Sequence, residues 1–230
     1  MLYIRLMSDT QQAEKVFVKK LLTRLKSLDP GLIVEVVEFD DRPDAVLNLN
    51  DSQIGLEVTR CASREQIRGE KMHRNDFPNL CVSPTEVPDG PDNRSRDEIA
   101  RDMSDFSRPW KNSNELLNNW GNQVYNLIAG KRDKLNRPGF RLFPQNWLLL
   151  HDEPGIFDVP HIANPSLEVL KLVLKSNPAL PHNFNTVFIL SWDFLFRFQN
   201  GGLYMSRHGR KKSPEALLCT YREPDERPPQ

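Results

Sequence analysis

Apolar positions recur at helical spacing early in the chain. Phe17, Val18, Leu21, Leu25 and Leu28 follow Asp9 or Thr10 as a cap and precede Asp29-Pro30-Gly31 as a stop, which predicts a helix to about Leu28. The pattern then shortens. Residues 32–37 read as a strand, and apolar runs at 45–49 and 54–58 flank the turn-forming cluster Asn50-Asp51-Ser52-Gln53. The result is an early helix and a three-stranded meander. A second long helix begins near Ser113, with Leu116, Trp120, Val124, Leu127, Ile128 and Leu135 on one face, and Pro138-Gly139 ends it. A strand at 147–151, a helix over 166–175 and a strand at 186–192 have the lengths of a right-handed parallel crossover. Residues 203–207 and 216–222 add edge strands. These elements predict an α/β protein with a mixed central sheet flanked by helices.

Residues 61–112 break the pattern. Arg, Asp, Asn and Pro dominate, and Pro78, Pro84, Pro88, Pro91 and Pro109 interrupt any long element. This reads as a loop-rich insertion with short helices over 63–71 and 94–103, either a contact for substrate or a second subunit or a decorated surface loop. Residues 1–222 are expected to form a single domain, with a charged, proline-rich and disordered tail at 223–230. No internal repeat is found.

Two carboxylates gain meaning from the meander. Asp44 opens the strand at 45–49, and Glu57 lies near the end of the next; an antiparallel fold-back brings the start of one beside the end of the other. Oxygen ligands of this kind suit Mg2+ or Mn2+, which need only one or two protein carboxylates. Two further charges fall on apolar stripes. At 100° per residue, Glu14 lies almost in line with Leu21, and Lys131 lies between Leu127, Ile128 and Leu135, with Lys134 toward the edge of the same stripe. A charge aimed at a core needs a partner or a metal, and an acidic cluster at the strand ends would supply one.

Composition narrows the partners. Thirty-one basic and 31 acidic residues cancel, so any grip on nucleic acid must come from local patches. The densest are 207–212 and the group Lys131, Arg132, Lys134, Arg137 and Arg141. No apolar run approaches the roughly 20 residues that span a bilayer, and the opening Met1-Leu-Tyr-Ile-Arg-Leu-Met does not read as a signal peptide, so a cytoplasmic location without a membrane partner is expected. Cys61, Cys81 and Cys219 fit reduced thiols rather than a disulfide framework, and Cys61, His73 and Cys81 match no zinc spacing.

The order of elements and these four charges resemble the PD-(D/E)xK nuclease superfamily, the restriction-endonuclease-like fold, over residues 10–60 and 113–192. Pro43-Asp44 looks like its PD, Glu57-Val58-Thr59 stands in the place of its (D/E)xK, and Glu14 looks like the acid its first helix often contributes. The departure is Thr59, where the pattern wants lysine. Some members supply that lysine from the following helix; Lys131 is then the candidate and Lys134 the second. The resemblance implies a Mg2+- or Mn2+-dependent endonuclease. Asp44, Glu57, the Val58 carbonyl and Glu14 would hold the metal, and Lys131 would position the attacking water. DNA would be the favoured partner, and a homodimer one of its forms. Asp152 and Glu153, just after the strand at 147–151, could assist the site but read rather as a solvated loop. Thr59 also motivates a second reading, an inactive nuclease-like protein acting as an interaction or immunity/regulatory module.

Overall fold

A computed structural model of the chain describes residues 9–40, 42–61, 95, 97–98, 113–152, 170–171, 173, 183–191, 194–207 and 216–220. The chain builds helix α1 (Asp9–Leu28), then strands β1 (Val34–Glu38), β2 (Ala45–Leu49) and β3 (Ser52–Arg60). Helix α2 (Ser113–Leu135) leads to β4 (Gln145–His151) and β5 (Thr186–Leu190). The run β6 (Phe194–Gln199), β7 (Gly202–Arg207) and β8 (Ala216–Thr220) completes an eight-stranded sheet in sequential order from β1 to β8. The sheet is mixed: β3, β4 and β5 are parallel, and every other neighbouring pair is antiparallel.

Alternation along the strands sorts the core into two layers. Leu56 and Val58 of β3, Ala45 and Leu47 of β2, and Trp147 and Leu149 of β4 pack with Phe17, Val18, Leu21 and Leu25 of α1. On the opposite face, Leu148 and Leu150 of β4, with Val187 and Ile189 of β5, pack with Trp120, Val124, Ile128 and Leu135 of α2. Neighbouring residues of one strand thus serve different layers, as a period of two requires. Each fully buried leucine or phenylalanine contributes about 1.5–3 kcal/mol, so each helix is held mainly by its apolar stripe. Leu170, Lys171 and Val173 are helical; Leu170 is buried in the α2 layer and Val173 packs against it. The remainder of the helix expected over 166–175 lies outside the described residues.

Turn chemistry sets the register. Asn50 and Asp51 have φ of 47° and 66° and close the Leu49–Ser52 pair as a two-residue hairpin, a conformation that Asn and Asp tolerate well. Asn200 and Gly201, with φ of 51° and 69°, do the same for Gln199 and Gly202. The strand β6 was not among the expected elements, although Phe194-Leu-Phe-Arg-Phe-Gln199 alternates and an Asn-Gly pair follows it.

Of the short helices expected in the insertion, only a trace of the second falls among the described residues. Ser95 Oγ accepts from the Glu98 N–H at 3.3 Å, and the Ser95 N–H donates to Glu98 Oε2 at 2.7 Å. This is a capping box, and Asp97 and Glu98 are helical. The helix expected at 63–71, the basic run 208–212, His73, Cys81, Glu153 and the tail 223–230 lie outside the described residues. Cys61 is a buried free thiol, its pKa pushed up by burial and by the charge of Asp152. Among the described residues no helix is long and apolar enough to cross a membrane.

Two glycines, Gly55 in β3 and Gly130 on α2, should respond oppositely. A Cβ on Gly55 would lie 2.7 Å from Phe143 Cδ2 and 3.3 Å from Pro43 Cγ, whereas one on Gly130, on the exposed side of α2, meets nothing within 4 Å. Urea unfolding should show Gly55→Ala destabilised by about 1–3 kcal/mol and Gly130→Ala stabilised by about 0.5–1 kcal/mol. A neutral Gly55→Ala would contradict the close packing of β3 against Pro43 and Phe143.

Candidate functional site

The β2–β3 register carries the two carboxylates to one place. Ala45 pairs with Leu56, so the next step along the ladder sets Asp44 opposite Glu57. Ala45, Leu56 and Val58 belong to the α1 layer. By alternation Asp44 and Glu57 therefore turn to the face covered by α2. Pro43, after a cis Arg42–Pro43 peptide, is buried against Gly55 and anchors the entry to β2. The Val58 N–H donates to Asp44 Oδ2 at 2.6 Å, which fixes the carboxylate at the strand start.

Lys131 reaches the pair from α2. Its stem follows the stripe of Val124, Ile128 and Leu135, and its Nζ donates to Glu57 Oε2 at 2.7 Å and to the Val58 carbonyl at 3.0 Å. The same Nζ lies 3.7 Å from Asp44 Oδ2. Side-chain exposures of 13% for Lys131, 15% for Asp44 and 6% for Glu57 set the cluster apart from surface ion pairs, whose net worth is small. Here the ammonium meets oxygens that have largely lost their water, so losing it leaves two carboxylates facing each other. Lys134 is exposed one turn on and acts on Asp44 only through its charge, so the amine of the site is that of Lys131.

The cluster leaves its mark on Asp44. Its carboxyl is raised from the ordinary 3.8 to about 6, chiefly by burial and further by the charge of Glu57. The charge of Lys131, the Val58 N–H and Lys134 pull in the other direction.

Not all of the expected residues meet. Glu14 is half-buried on α1, whose stripe covers the opposite face of the sheet from Asp44 and Glu57. Among the described residues no three His, Cys, Asp or Glu side chains form a metal-binding group, so Glu14 is not gathered with the other two acids. Thr59, which stands in the place of the motif lysine, points the same way as Glu57 by alternation but carries no charge. Asp152, expected in a solvated loop, is buried at the end of β4, and its N–H donates to the Leu190 carbonyl at 2.9 Å. His151, which the sequence placed inside an apolar strand, stacks on Phe17 with ring centroids 3.6 Å apart. Its pKa falls to about 3 through burial and the charges of Lys20 and Arg60, so it is a neutral ring between sheet and helix. Of the basic group, Arg141 is engaged with Glu38 at 2.7 Å and lies over the Phe143 ring, while Lys134 and Arg137 are exposed.

The donors present fit a hard divalent cation. Glu57 Oε2, the Val58 carbonyl and Asp44 Oδ2 already converge on one positive charge, the Lys131 ammonium. All three are oxygens, the ligand type of Mg2+ and Mn2+, and two carboxylates with a carbonyl suffice for ions that keep several waters. The chain matches no family model, no curated protein and no solved structure.

The raised Asp44 pKa predicts how the metal-free protein responds to pH. In the unfolded chain Asp44 ionises near 3.8 and in the folded chain near 6. Its contribution to stability is therefore present below about pH 4 and is lost as pH rises through 6. Relative to wild type in EDTA, Asp44→Asn should gain about 1–3 kcal/mol between those limits and then level off, as read by urea unfolding at a series of pH values. A difference that stays constant with pH would show that Asp44 is not held in a desolvated, acid-paired site.

Proposed function

We propose that the chain is a metal-dependent nuclease of the PD-(D/E)xK type, hydrolysing phosphodiester bonds with Mg2+ or Mn2+, DNA being the favoured substrate. The observation that carries this reading is the Lys131 ammonium, 2.7 Å from Glu57 Oε2 and 3.0 Å from the Val58 carbonyl, beside Asp44. It gives the acidic pair the amine that Thr59 cannot. The mixed sheet, with the meander β1–β3 before α2 and with β4 and β5, both parallel to β3, after it, is consistent with a restriction-endonuclease-like core.

Each side chain then has a task. Asp44, Glu57 and the Val58 carbonyl would hold the ion, which when bound supplies a water of lowered pKa and polarises a phosphate oxygen. Asp44 is kept in place by the Val58 N–H, so its position does not depend on the ion. Lys131 directs the attacking water and offsets the negative charge that grows on the phosphate in the transition state. An ammonium in a water-poor site serves this better than one in bulk water, because attraction strengthens as the dielectric falls. Lys134 and Arg137, exposed near the end of α2, offer phosphate contacts beside the site, and such contacts are strongly salt-dependent.

The alternative of an inactive interaction or immunity/regulatory module rested on Thr59, and Lys131 removes much of its motive. The test is cleavage of supercoiled plasmid and of single-stranded DNA with Mg2+ or Mn2+, comparing wild type with Glu57→Ala and Lys131→Met purified identically. Cleavage should require the metal and drop by about 10²–10³-fold or more in each variant. Wild type that cuts no DNA or RNA under any of these conditions would overturn the nuclease reading in favour of the interaction protein.

A further inference from the structure

We infer that Lys131 is the resident counter-cation of the Asp44–Glu57 pair, that a divalent ion must displace it, and that metal and nucleic-acid binding are coupled through the released ammonium. The inference rests on the metal-site reading above and adds a consequence of its geometry. The Nζ of Lys131 contacts Glu57 Oε2 and the Val58 carbonyl and lies 3.7 Å from Asp44 Oδ2, so it holds the position toward which the three candidate ligands point. Two cations cannot share it. A divalent ion on the same oxygens would sit within a few ångströms of the ammonium, and like charges at that separation repel strongly in a medium less polar than water.

The lysine can leave. Its four-carbon stem is flexible, the cluster is not sealed from solvent, and α2 ends four residues later. What it lacks on leaving is a partner. The side chain rises from a stripe whose neighbours Ile128 and Leu135 are buried, and an ammonium withdrawn from its oxygens there gives up its counter-charges, which solvent at the open side of the cluster replaces only in part. A phosphodiester at the site provides new oxygens. Metal alone must therefore work against the lysine, whereas metal with a bound phosphate need not. Each should strengthen the other by the same factor, as linkage requires.

Titration calorimetry of Mn2+ into wild type and Lys131→Met, without and with a nuclease-resistant phosphorothioate oligodeoxynucleotide, separates the outcomes. Without the oligonucleotide, Lys131→Met should bind Mn2+ about tenfold or more tightly than wild type. The oligonucleotide should tighten Mn2+ binding to wild type by about fivefold or more and change that of Lys131→Met far less. Lys131→Gln, which keeps a hydrogen-bond donor without the charge, repeats the comparison if the methionine variant is poorly folded, and thermal unfolding with EDTA or Mn2+ follows both. A larger rise in Tm on adding Mn2+ to the variants than to wild type is the expected companion result. Equal or weaker Mn2+ binding in both variants overturns the competition while leaving the metal site intact, provided wild type binds and Glu57→Gln does not. If wild type binds no Mn2+ with or without the oligonucleotide, the metal-site reading itself fails.

Discussion

Two carboxylates set face to face across an antiparallel ladder repel each other, and the fold places a single ammonium against both. The Lys131 contact ties α2 to β3 through Glu57 and the Val58 carbonyl, and to the start of β2 through Asp44. It is a polar fastening at the margin of an apolar layer, because Val124 and Ile128 of the same stripe are fully buried on β4 and β5. The dependence runs both ways. The helix is held by its leucine, valine and tryptophan contacts, and only a helix so held can deliver a lysine to within hydrogen-bonding distance of a strand 73 residues earlier in the sequence. The charges in turn pin the rotation of the helix, since a shift of one position would carry the ammonium off the acidic pair.

Strand alternation is the second constraint. Because neighbouring β3 residues serve opposite layers, Leu56 and Val58 go to α1 while Glu57 goes to α2. The same rule separates the site from the stacked Phe17–His151 pair on the other face, where burial keeps the imidazole neutral. The acidic site and the histidine stack lie toward the same end of β3 and β4 and do not share a layer.

Much of this was legible in the sequence because it is local or periodic. The Asp44–Glu57 pairing follows from two apolar runs joined by a turn, and Asn50-Asp51 makes that turn by accepting a left-handed backbone. Lys131 was recognisable because helical projection puts it in the middle of an apolar stripe, where a charge has to find a counter-charge. Glu14 shows the limit of that argument. The projection tells that a residue faces a core but not which side of the sheet the helix covers, and α1 covers the side away from the acids. The miss at β6 has a different source: Phe194-Leu195-Phe196 opens the segment as a short apolar run with no clear period, and it follows closely on the apolar run expected to end at Trp192. The identity of the amine could not be settled from spacing alone, since Lys131 and Lys134 lie one turn apart and only packing decides which reaches inward.

On the proposed reading, Asp44, Glu57 and the Val58 carbonyl form one cation site that Lys131 fills when no metal is bound. The most direct measurement is a crystal structure with Mn2+, recorded for anomalous scattering. The expected result is an anomalous peak coordinated by Asp44, Glu57 and the Val58 carbonyl, with the Lys131 ammonium moved off those oxygens. A crystal in saturating Mn2+ with no peak there, and Lys131 still bonded to Glu57 and Val58, would contradict it.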